Sequence, residues 1–320
     1  MKTLRSCLTL LLCATALAAQ AQTYPSSPIK MISPFPPGGG TDLITRVLAN
    51  KLSEANKWNI VVENKPGANG VIGLNDTIKE KADGYTLVVG QKDNMIVAPW
   101  LTKVHFDTLQ DFSPIALLGT TSLVILTGAD SRFKNFGDVA RAAKAKPDEI
   151  SFGTSGAGSL SHLTSELLRS RAGIALRHVP YRGTSPAMTD LMGGHLDLAG
   201  GSIASALPLI NSGKLRPLAV TGLQRSSNLP DVPTLLELGM KNTDVTGWWG
   251  LLGPAGMPAS AVARLHDAVN QVLEQPDVKQ KLLDQGVEVA SDSTEGFAAL
   301  IKKDYADWKA IIAETGVRLN

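Results

Sequence analysis

The sequence predicts an α/β protein of two doubly wound units joined by crossover hinge strands, with a helical tail. Three observations support this fold class. Short apolar runs alternate with longer amphipathic segments over residues 29–126, which is the rhythm of a parallel sheet covered by helices on both faces. The rhythm starts again after residue 130 and continues to about residue 225. Long amphipathic helices are predicted between residues 259 and 315 of the 320-residue chain.

The first unit is predicted from hydrophobic spacing. Its first helix carries Leu43, Ile44, Val47 and Leu48 at the spacing of one helical face. In chain order the predicted elements are a strand at 29–32, a helix at 41–55, a strand at 59–63, a helix at 70–81, a strand at 85–89, and two further apolar runs at 115–118 and 123–126.

The second unit repeats this alternation, and a turn-rich segment, Leu229–Thr234, separates it from the tail. Its predicted helices are 138–145, 159–171, 186–192 and 204–210, and its predicted strands are 149–152, 176–179, 196–199 and 215–221. The tail helices are predicted at 259–274, 276–285 and 294–315.

The helical tail has little sheet of its own and needs another core to pack on. Packing it on the first unit makes residues 22–122 plus 226–320 one lobe (lobe 1) and residues 123–225 the other (lobe 2). The chain then crosses between the lobes twice, which creates a hinge. The cleft between two hinged lobes is a natural ligand site.

The N-terminus has the order of a secretory signal peptide. Lys2 and Arg5 precede an apolar run over residues 8–19, and Ala19-Gln20-Ala21 supplies small residues for a cut before Gln22. The run is shorter than the roughly 20 residues that a spanning helix needs. Residues 1–21 are therefore predicted to be removed and the product to reach the periplasm, the alternative being an uncleaved anchor or a buried helix.

Cysteine and charge exclude several functional classes. Both cysteines, Cys7 and Cys13, lie in the predicted signal, and Leu12 does not suit lipid attachment at Cys13. Removing the two basic residues of the signal from 31 Lys and Arg leaves a number equal to the 29 Asp and Glu. A balanced charge argues against nucleic acid as a partner. The five histidines lack metal-site spacing, so neither a metal nor a cofactor is predicted.

Loop 1, Pro34–Asp42, links the first strand to the first helix. Its glycines allow a ligand to approach the backbone, and the N-terminus of the following helix adds unpaired N–H groups and partial positive charge. We expect an anion site here, or else a tight turn whose helix is capped by Thr41 or Asp42. The candidate ligand contacts are Phe35, Gly39, Gly40, Thr41 and Asp42.

Loop 2, Gly153–Ser159, repeats this arrangement in the second unit. It follows a strand, contains three hydroxyl side chains and opens the helix of His162. Two anion-receptive helix N-termini, one in each lobe, are therefore expected to face each other. His162 is assigned either to helix packing or to support of the site. The candidate contacts are Thr154, Ser155, Gly158, Ser159 and His162.

An exported hydrolase-like enzyme is the alternative function. It would use Ser155 or Ser159 as nucleophile, with His162 as base. Ala157 breaks the G-x-S-x-G pattern, and no acid is clearly placed to orient the imidazole, so no catalytic residue is predicted. Neither loop continues into a P-loop or a dinucleotide fingerprint.

Loop 3, Val179–Pro186, is a further strand-to-helix connection. Tyr181 offers an aromatic wall and Gly183 a backbone donor, while Arg182 is interpreted as a solvated surface charge. The pair Trp248-Trp249 is expected in core or hinge packing, with a cleft wall as the alternative.

Taken together, the motifs resemble the tripartite tricarboxylate transporter receptor family, also called the Bug receptors. The match runs over essentially the whole chain after the signal. The motifs are Pro36–Asp42, Glu63–Gly70, Ala82–Leu87, Asp111–Ile115, Gly153–His162, Val179–Gly183, Leu229–Thr234 and Trp249–Leu251.

The resemblance implies a two-lobed periplasmic binding protein fold of the type II-like form with two crossovers. It implies a receptor, not an enzyme, that binds a small carboxylate (a mono- or dicarboxylate or an amino acid) through backbone and hydroxyl groups. The implied partners are this ligand and inner-membrane transporter subunits or a sensor. We expect a monomer.

One stretch, Gln91–Asn94, departs from the resemblance, because similar proteins tend to carry small hydroxyl residues there. Lys92 would pair a second ligand carboxylate and Asp93 would receive an ammonium group. The alternative is an ordinary surface ion pair, which contributes little. The identity of the ligand therefore stays open.

Overall fold

The computed structural model describes residues 24–181 and 183–317. The predicted signal peptide, its cut before Gln22, both cysteines and Arg182 lie outside the described residues.

Lobe 1 begins with three parallel strands in the order β2-β1-β3. The predicted 70–81 helix is shorter, because a 3-10 turn at Ala68–Gly70 precedes it and its last residues form 3-10-type turns. A π-helix at Asp93–Val97, which hydrophobic spacing did not indicate, leads into α3. The elements are β1 (Ile29–Ser33), α1 (Gly40–Asn56), β2 (Ile60–Asn64), α2 (Val71–Thr77), β3 (Thr86–Gln91) and α3 (Ala98–Leu101).

One long strand, β4 (Phe112–Gly128), connects the lobes and joins the two apolar runs predicted separately. Its first part pairs antiparallel with β9 (Thr246–Pro254), which also pairs antiparallel with β3. Its last residues pair with lobe 2. The sequence analysis did not predict β9, whose three glycines interrupt the usual strand pattern. The sheets are therefore mixed and not wholly parallel.

Lobe 2 has three parallel strands in the order β7-β5-β6, with β4 antiparallel to both β7 and β8. Its elements are α4 (Phe136–Ala145), β5 (Ser151–Thr154), α5 (Leu160–Ala172), β6 (Arg177–Pro180), α6 (Thr184–Met192), β7 (Leu198–Ser202), α7 (Ile203–Asn211) and β8 (Leu215–Val220). The tail forms α8 (Ala259–Leu273), α9 (Pro276–Leu283) and α10 (Thr294–Thr315).

The tail packs on lobe 1, as expected from its lack of sheet. Leu265 and Val269 of α8 share a buried core with Leu48 of α1. α10 also reaches lobe 2, because Trp308 packs in one core with Leu167 of α5. The two lobes therefore share apolar contacts along one side of the hinge.

The two crossings lie side by side. The Thr221 N–H donates to the Leu123 carbonyl, and the Val245 N–H donates to the Thr221 carbonyl, both at 2.9 Å. The intervening turn-rich segment packs with lobe 2, since Leu229 and Val232 are buried in its core. We therefore propose that the second lobe boundary lies at 245/246 and not at 225/226.

No helix in the described part of the chain is long and apolar enough to cross a membrane.

Candidate ligand-binding cleft

A cleft of about 1030 Å³ lies between the lobes, at the large end of the usual range for small-molecule sites. Lobe 1 contributes loop 1, the loop after β2 and the end of β3. Lobe 2 contributes loops 2 and 3 and the start of α7, and β9 contributes both tryptophans. Of the predicted contacts, those that line it are Phe35, Gly39, Gly40, Thr41, Asp93, Ser155, Ser159 and Gly183. Those that do not are Asp42, Lys92, Thr154, Gly158, His162 and Tyr181.

Loop 1 is held from behind by Asp42. This buried carboxylate accepts from the Gly38 N–H at 2.9 Å, from Arg46 Nε at 2.9 Å and from Asn64 Nδ2 at 2.7 Å. Burial raises the pKa of Asp42, but these three donors together bring it below its ordinary value. Asp42 thus stabilises the conformation of loop 1 and does not line the cleft.

The first turn of α1 keeps its backbone donors available. Gly39 is the N-cap and supplies no side-chain hydrogen bond, so the amides of Thr41 and Asp42 lack the acceptor that a capping side chain would provide. A Cβ added at Gly40 would meet no atom within 4 Å, which shows open space in front of this backbone. The N-terminus of a 17-residue helix therefore faces the cleft with unused donors.

Thr41 connects this helix to the back of the cleft. Its hydroxyl donates to Gln91 Oε1 at 2.7 Å and accepts from Trp249 Nε1 at 3.0 Å. Trp248 is almost fully buried against Phe297, yet it also lines the cleft. Both interpretations of the tryptophan pair, core packing and cleft wall, therefore apply.

In loop 2, a side chain of the loop already caps the helix that follows it. Ser159 is the N-cap of α5, where its Oγ accepts from the His162 N–H at 3.3 Å and donates to the Gly156 carbonyl at 2.7 Å. The next amide, Leu160 N–H, donates to Asp93 Oδ1 of lobe 1 at 3.2 Å. The N-terminus of α5 is thus occupied by groups of this chain, unlike that of α1.

Two stacked imidazoles support loop 2 from behind. The rings of His162 and His178 lie 3.8 Å apart and nearly parallel, and Thr154 Oγ1 lies 2.7 Å from His178 Nε2. His162 Nδ1 accepts from the Gly158 N–H at 3.0 Å. Burial, with a smaller contribution from His178, lowers the pKa of His162 to about 4, so the ring is neutral at neutral pH. Thr154 and His162 position the loop and do not reach the cleft.

A second helix whose N-terminus has no side-chain cap is α6. Its N-cap, Gly183, has φ 113° and offers no side chain, and Gly183, Thr184 and Ser185 all line the cleft. Tyr181 points elsewhere, because its hydroxyl donates to Asp190 Oδ2 at 2.6 Å. Each lobe therefore presents a helix N-terminus without a side-chain cap to the cleft, α1 in lobe 1 and α6 in lobe 2. The uncapped helix in lobe 2 is α6, and not α5, the helix after loop 2 that the sequence analysis expected.

Several lining residues were missed by sequence reasoning. Ser202 and Ser205 open α7, where Ser202 caps the Ser205 amide at 3.3 Å, and Gln91 ends β3. Ser202 follows a strand and begins a helix, which is the signal that identified the other loops. Gln91 carries no comparable signal.

Lys92 turns away from the cleft. Its ammonium lies 2.9 Å from Asp304 Oδ2, with side chains 9% and 10% exposed, and the same carboxylate oxygen accepts from Trp248 Nε1 at 2.7 Å. The expectation that Lys92 meets a ligand carboxylate is corrected, and so is the alternative of an exposed ion pair. The reason is that α10 places the buried carboxylate of Asp304 beside the Lys92 ammonium.

Asp93, the neighbouring residue, does line the cleft. Burial raises the pKa of its carboxyl, against the opposing effects of the Leu160 N–H and the Lys92 ammonium.

Among the described residues, no group of three or more His, Cys, Asp or Glu side chains is arranged to hold a metal ion.

Comparison with known proteins decides the family. Residues 44–317 match the model of the tripartite tricarboxylate transporter family receptor. The chain belongs to this family. Protein BugT of Bordetella pertussis (strain Tohama I) is 34% identical over 309 residues, which are 95% of this chain and 94% of BugT.

Solved structures of similar chains extend the match. An R. palustris protein solved with adipate has a TM-score of 0.84 at 28% identity, covering 92% of this chain and 99% of its own. MatC of Rhodopseudomonas palustris, with bound malate, has a TM-score of 0.79 at 28% identity, covering 90% of this chain and 100% of its own. The predicted family and its two-lobed α/β fold are thereby confirmed.

Proposed function

We propose that this receptor captures a small organic carboxylate between its lobes and releases it unchanged. The observation that carries the proposal is the pair of uncapped helix N-termini, α1 and α6, which line one cleft from opposite lobes. Free N–H groups and the positive ends of helix dipoles favour a bound anion. A carboxylate that contacts both ends would hold the lobes together.

The comparisons support the same class of ligand. Two similar proteins were solved with adipate and malate, both of which are small dicarboxylates. The chain shares their fold over nine tenths or more of its length. The backbone and hydroxyl groups that line the cleft suit a carboxylate, because each offers a donor without fixing the rest of the ligand.

The geometry offers little support for the hydrolase alternative. A nucleophilic Ser159 would donate to His162, but its Oγ donates to the Gly156 carbonyl. His162 Nδ1 is engaged by the Gly158 N–H, and its Nε2 lies 3.9 Å from Glu166 Oε1. We therefore assign binding without turnover to this site.

We further propose that the receptor acts in the periplasm as a monomer. Removal of residues 1–21 would release it there, and its partners would be inner-membrane transporter subunits or a sensor. The family assignment supports this setting.

The function is tested with the exported protein purified from the periplasm. We expect adipate, malate or an amino acid to bind at one site by calorimetry and to raise the melting temperature. A ligand at one hundred times its Kd stabilises the folded state by about 2.7 kcal/mol. NMR of the recovered ligand should show it unchanged. Conversion of the ligand, or no binding across a broad panel of carboxylates and amino acids, would contradict the proposal.

A further inference from the structure

One residue of the described part of the chain, Asp93, brings an ionisable side chain to the cleft. Asp93 is the only ionisable side chain among the described residues that line it. The other lining residues are apolar, glycine, hydroxyl or amide groups. A ligand that enters therefore meets backbone donors at one place and a carboxylate at another.

No cation of the described chain neutralises Asp93 within the cleft wall. The adjacent Lys92 directs its ammonium to Asp304 at 2.9 Å, which satisfies the charge of both groups. The Asp93 carboxylate instead accepts from neutral backbone donors, the Leu160 N–H at 3.2 Å and its own N–H. A half-buried carboxylate whose donors are neutral backbone groups binds a cation favourably, since a charge-assisted hydrogen bond offsets its desolvation.

Asp93 and the uncapped end of α1 line the same cleft and are connected through Gln91. Thr41, in the first turn of α1, donates to Gln91 at 2.7 Å, and Asp93 begins the π-helix directly after this strand end. The backbone donors of α1 and the carboxylate of Asp93 thus flank Gln91 on one wall. A short ligand with an anionic and a cationic end can contact both.

We propose that the cleft selects a carboxylate that also carries a protonated amine, with the carboxylate at α1 and α6 and the ammonium group at Asp93. This inference rests on the proposed function and names its class of ligand. A dicarboxylate without an amine would place its second negative charge in a cleft where the described wall contributes an acidic side chain and no basic one.

The protonation of Asp93 fits this arrangement. Burial raises the pKa of its carboxyl, and an ammonium group at hydrogen-bond distance would lower it again. The competing possibility is a protonated Asp93 that donates to a second ligand carboxylate. The two possibilities predict opposite preferences between ligands with and without an amine.

The test uses pairs of ligands that differ only in an amino group: glutarate and glutamate, adipate and 2-aminoadipate, butyrate and 4-aminobutyrate. Each is titrated calorimetrically on the wild type, on Asp93→Asn and on Asp130→Asn. The asparagine at 93 keeps an acceptor for the Leu160 N–H, so the fold is preserved. Asp130 lies exposed in the turn after β4, so its variant controls for a general loss of one charge.

We expect the wild type to bind the amine-bearing member of at least one pair about ten-fold or more tightly than its partner, as a charge-assisted contact predicts. Asp93→Asn should abolish this preference by weakening the amine-bearing ligand alone, and Asp130→Asn should retain it. A preference for the amine-free member, or one that survives in Asp93→Asn, overturns the inference while the proposed function stands. If no member of any pair binds, the inference falls with the proposed function.

Discussion

Loop 1 and loop 2 look alike in sequence but differ in what their backbones offer. Both are glycine-rich connections from a strand to a helix. The N-cap of the helix after loop 1 is Gly39, which has no side chain to cap it, whereas the N-cap of the helix after loop 2 is Ser159, whose hydroxyl does cap it. Asp93 then takes a further amide of α5. The residue at the N-cap, more than the glycine content, therefore decides whether a helix end is available to a ligand.

The same rule identifies the partner of loop 1 in lobe 2. Gly183 caps α6 without a side chain, while Ser202 caps α7 with one. Both helices begin in the cleft. We therefore expect α6 to act with α1, and α5 and α7 to form the polar walls between them.

The largest expected effect comes from making loop 1 resemble loop 2. In Gly39→Asp the new side chain would cap α1 and place a carboxylate where the ligand anion is proposed to bind. The site accepts a side chain, because φ is −77° and the nearest atom to an added Cβ is 3.5 Å away. Carboxylate affinity should fall by about 100-fold or more, which is about 2.7 kcal/mol, as measured by calorimetry.

Gly39→Asn is the matched control, since it caps the helix without adding charge. Its affinity should lie between those of the wild type and Gly39→Asp. Both variants should melt no lower than the wild type, because Asp and Asn are favoured N-caps. Normal carboxylate binding by Gly39→Asp would place the anion away from α1.

An intermediate effect is expected from removing the side-chain cap of α5, the helix after loop 2. Ser159→Ala should lower the free energy of unfolding by about 1 kcal/mol, through loss of the N-cap, in urea denaturation. Its effect on affinity should stay below about three-fold, because the hydroxyl is already satisfied within the chain.

Ser185→Ala gives the opposite pattern if α6 binds the ligand. This exposed serine lies in the first turn of the uncapped helix and lines the cleft. Its loss should weaken binding by about three- to ten-fold and leave the unfolding free energy within about 0.5 kcal/mol of the wild type. If Ser159→Ala weakens binding more than Ser185→Ala does, α5 and not α6 carries the site.

The last expected effect is on stability alone and concerns the imidazole pair under loop 2. The pKa of His162 is lowered to about 4 in the folded protein, from the 6.5 of an unperturbed imidazole. Between these values the unfolded chain binds more protons, so stability falls as the pH drops from 6.5 towards 4. Melting temperatures across this window should decline less in His162→Asn, whose amide oxygen replaces Nδ1 as the acceptor for Gly158. Equal slopes for both proteins would show that His162 does not contribute.

The sequence predicted the fold well where periodicity was strong. The tail helix at Thr294–Thr315 was predicted at its observed bounds, and the strands of lobe 1 within two residues. β9 was missed because strands carrying Gly247, Gly250 and Gly253 lack an alternating pattern, and Phe297 packs in the space that a side chain at Gly250 would fill. Such a strand is determined by its neighbours and not by its own propensity.

The candidate site was predicted less completely, because side-chain partners distant in sequence decide it. Lys92 was placed in the cleft, but Asp304, in the last helix of the chain, lies 2.9 Å from its ammonium in the fold. Thr154 was expected to contact a ligand, and His178 engages it instead. The glycine-rich loops were recognisable because a turn and a helix start are local features.

The tryptophan pair of β9 also has a consequence for how the receptor can be observed. Of the five tryptophans in the chain, Trp248 and Trp249 line the cleft, and Trp249 donates to Thr41 at the start of α1. A ligand that displaces water there changes the polarity around both indoles. Native emission spectra, without any added dye, would therefore report occupancy of the cleft, and a stopped-flow trace of the same signal would give the rates of capture and release.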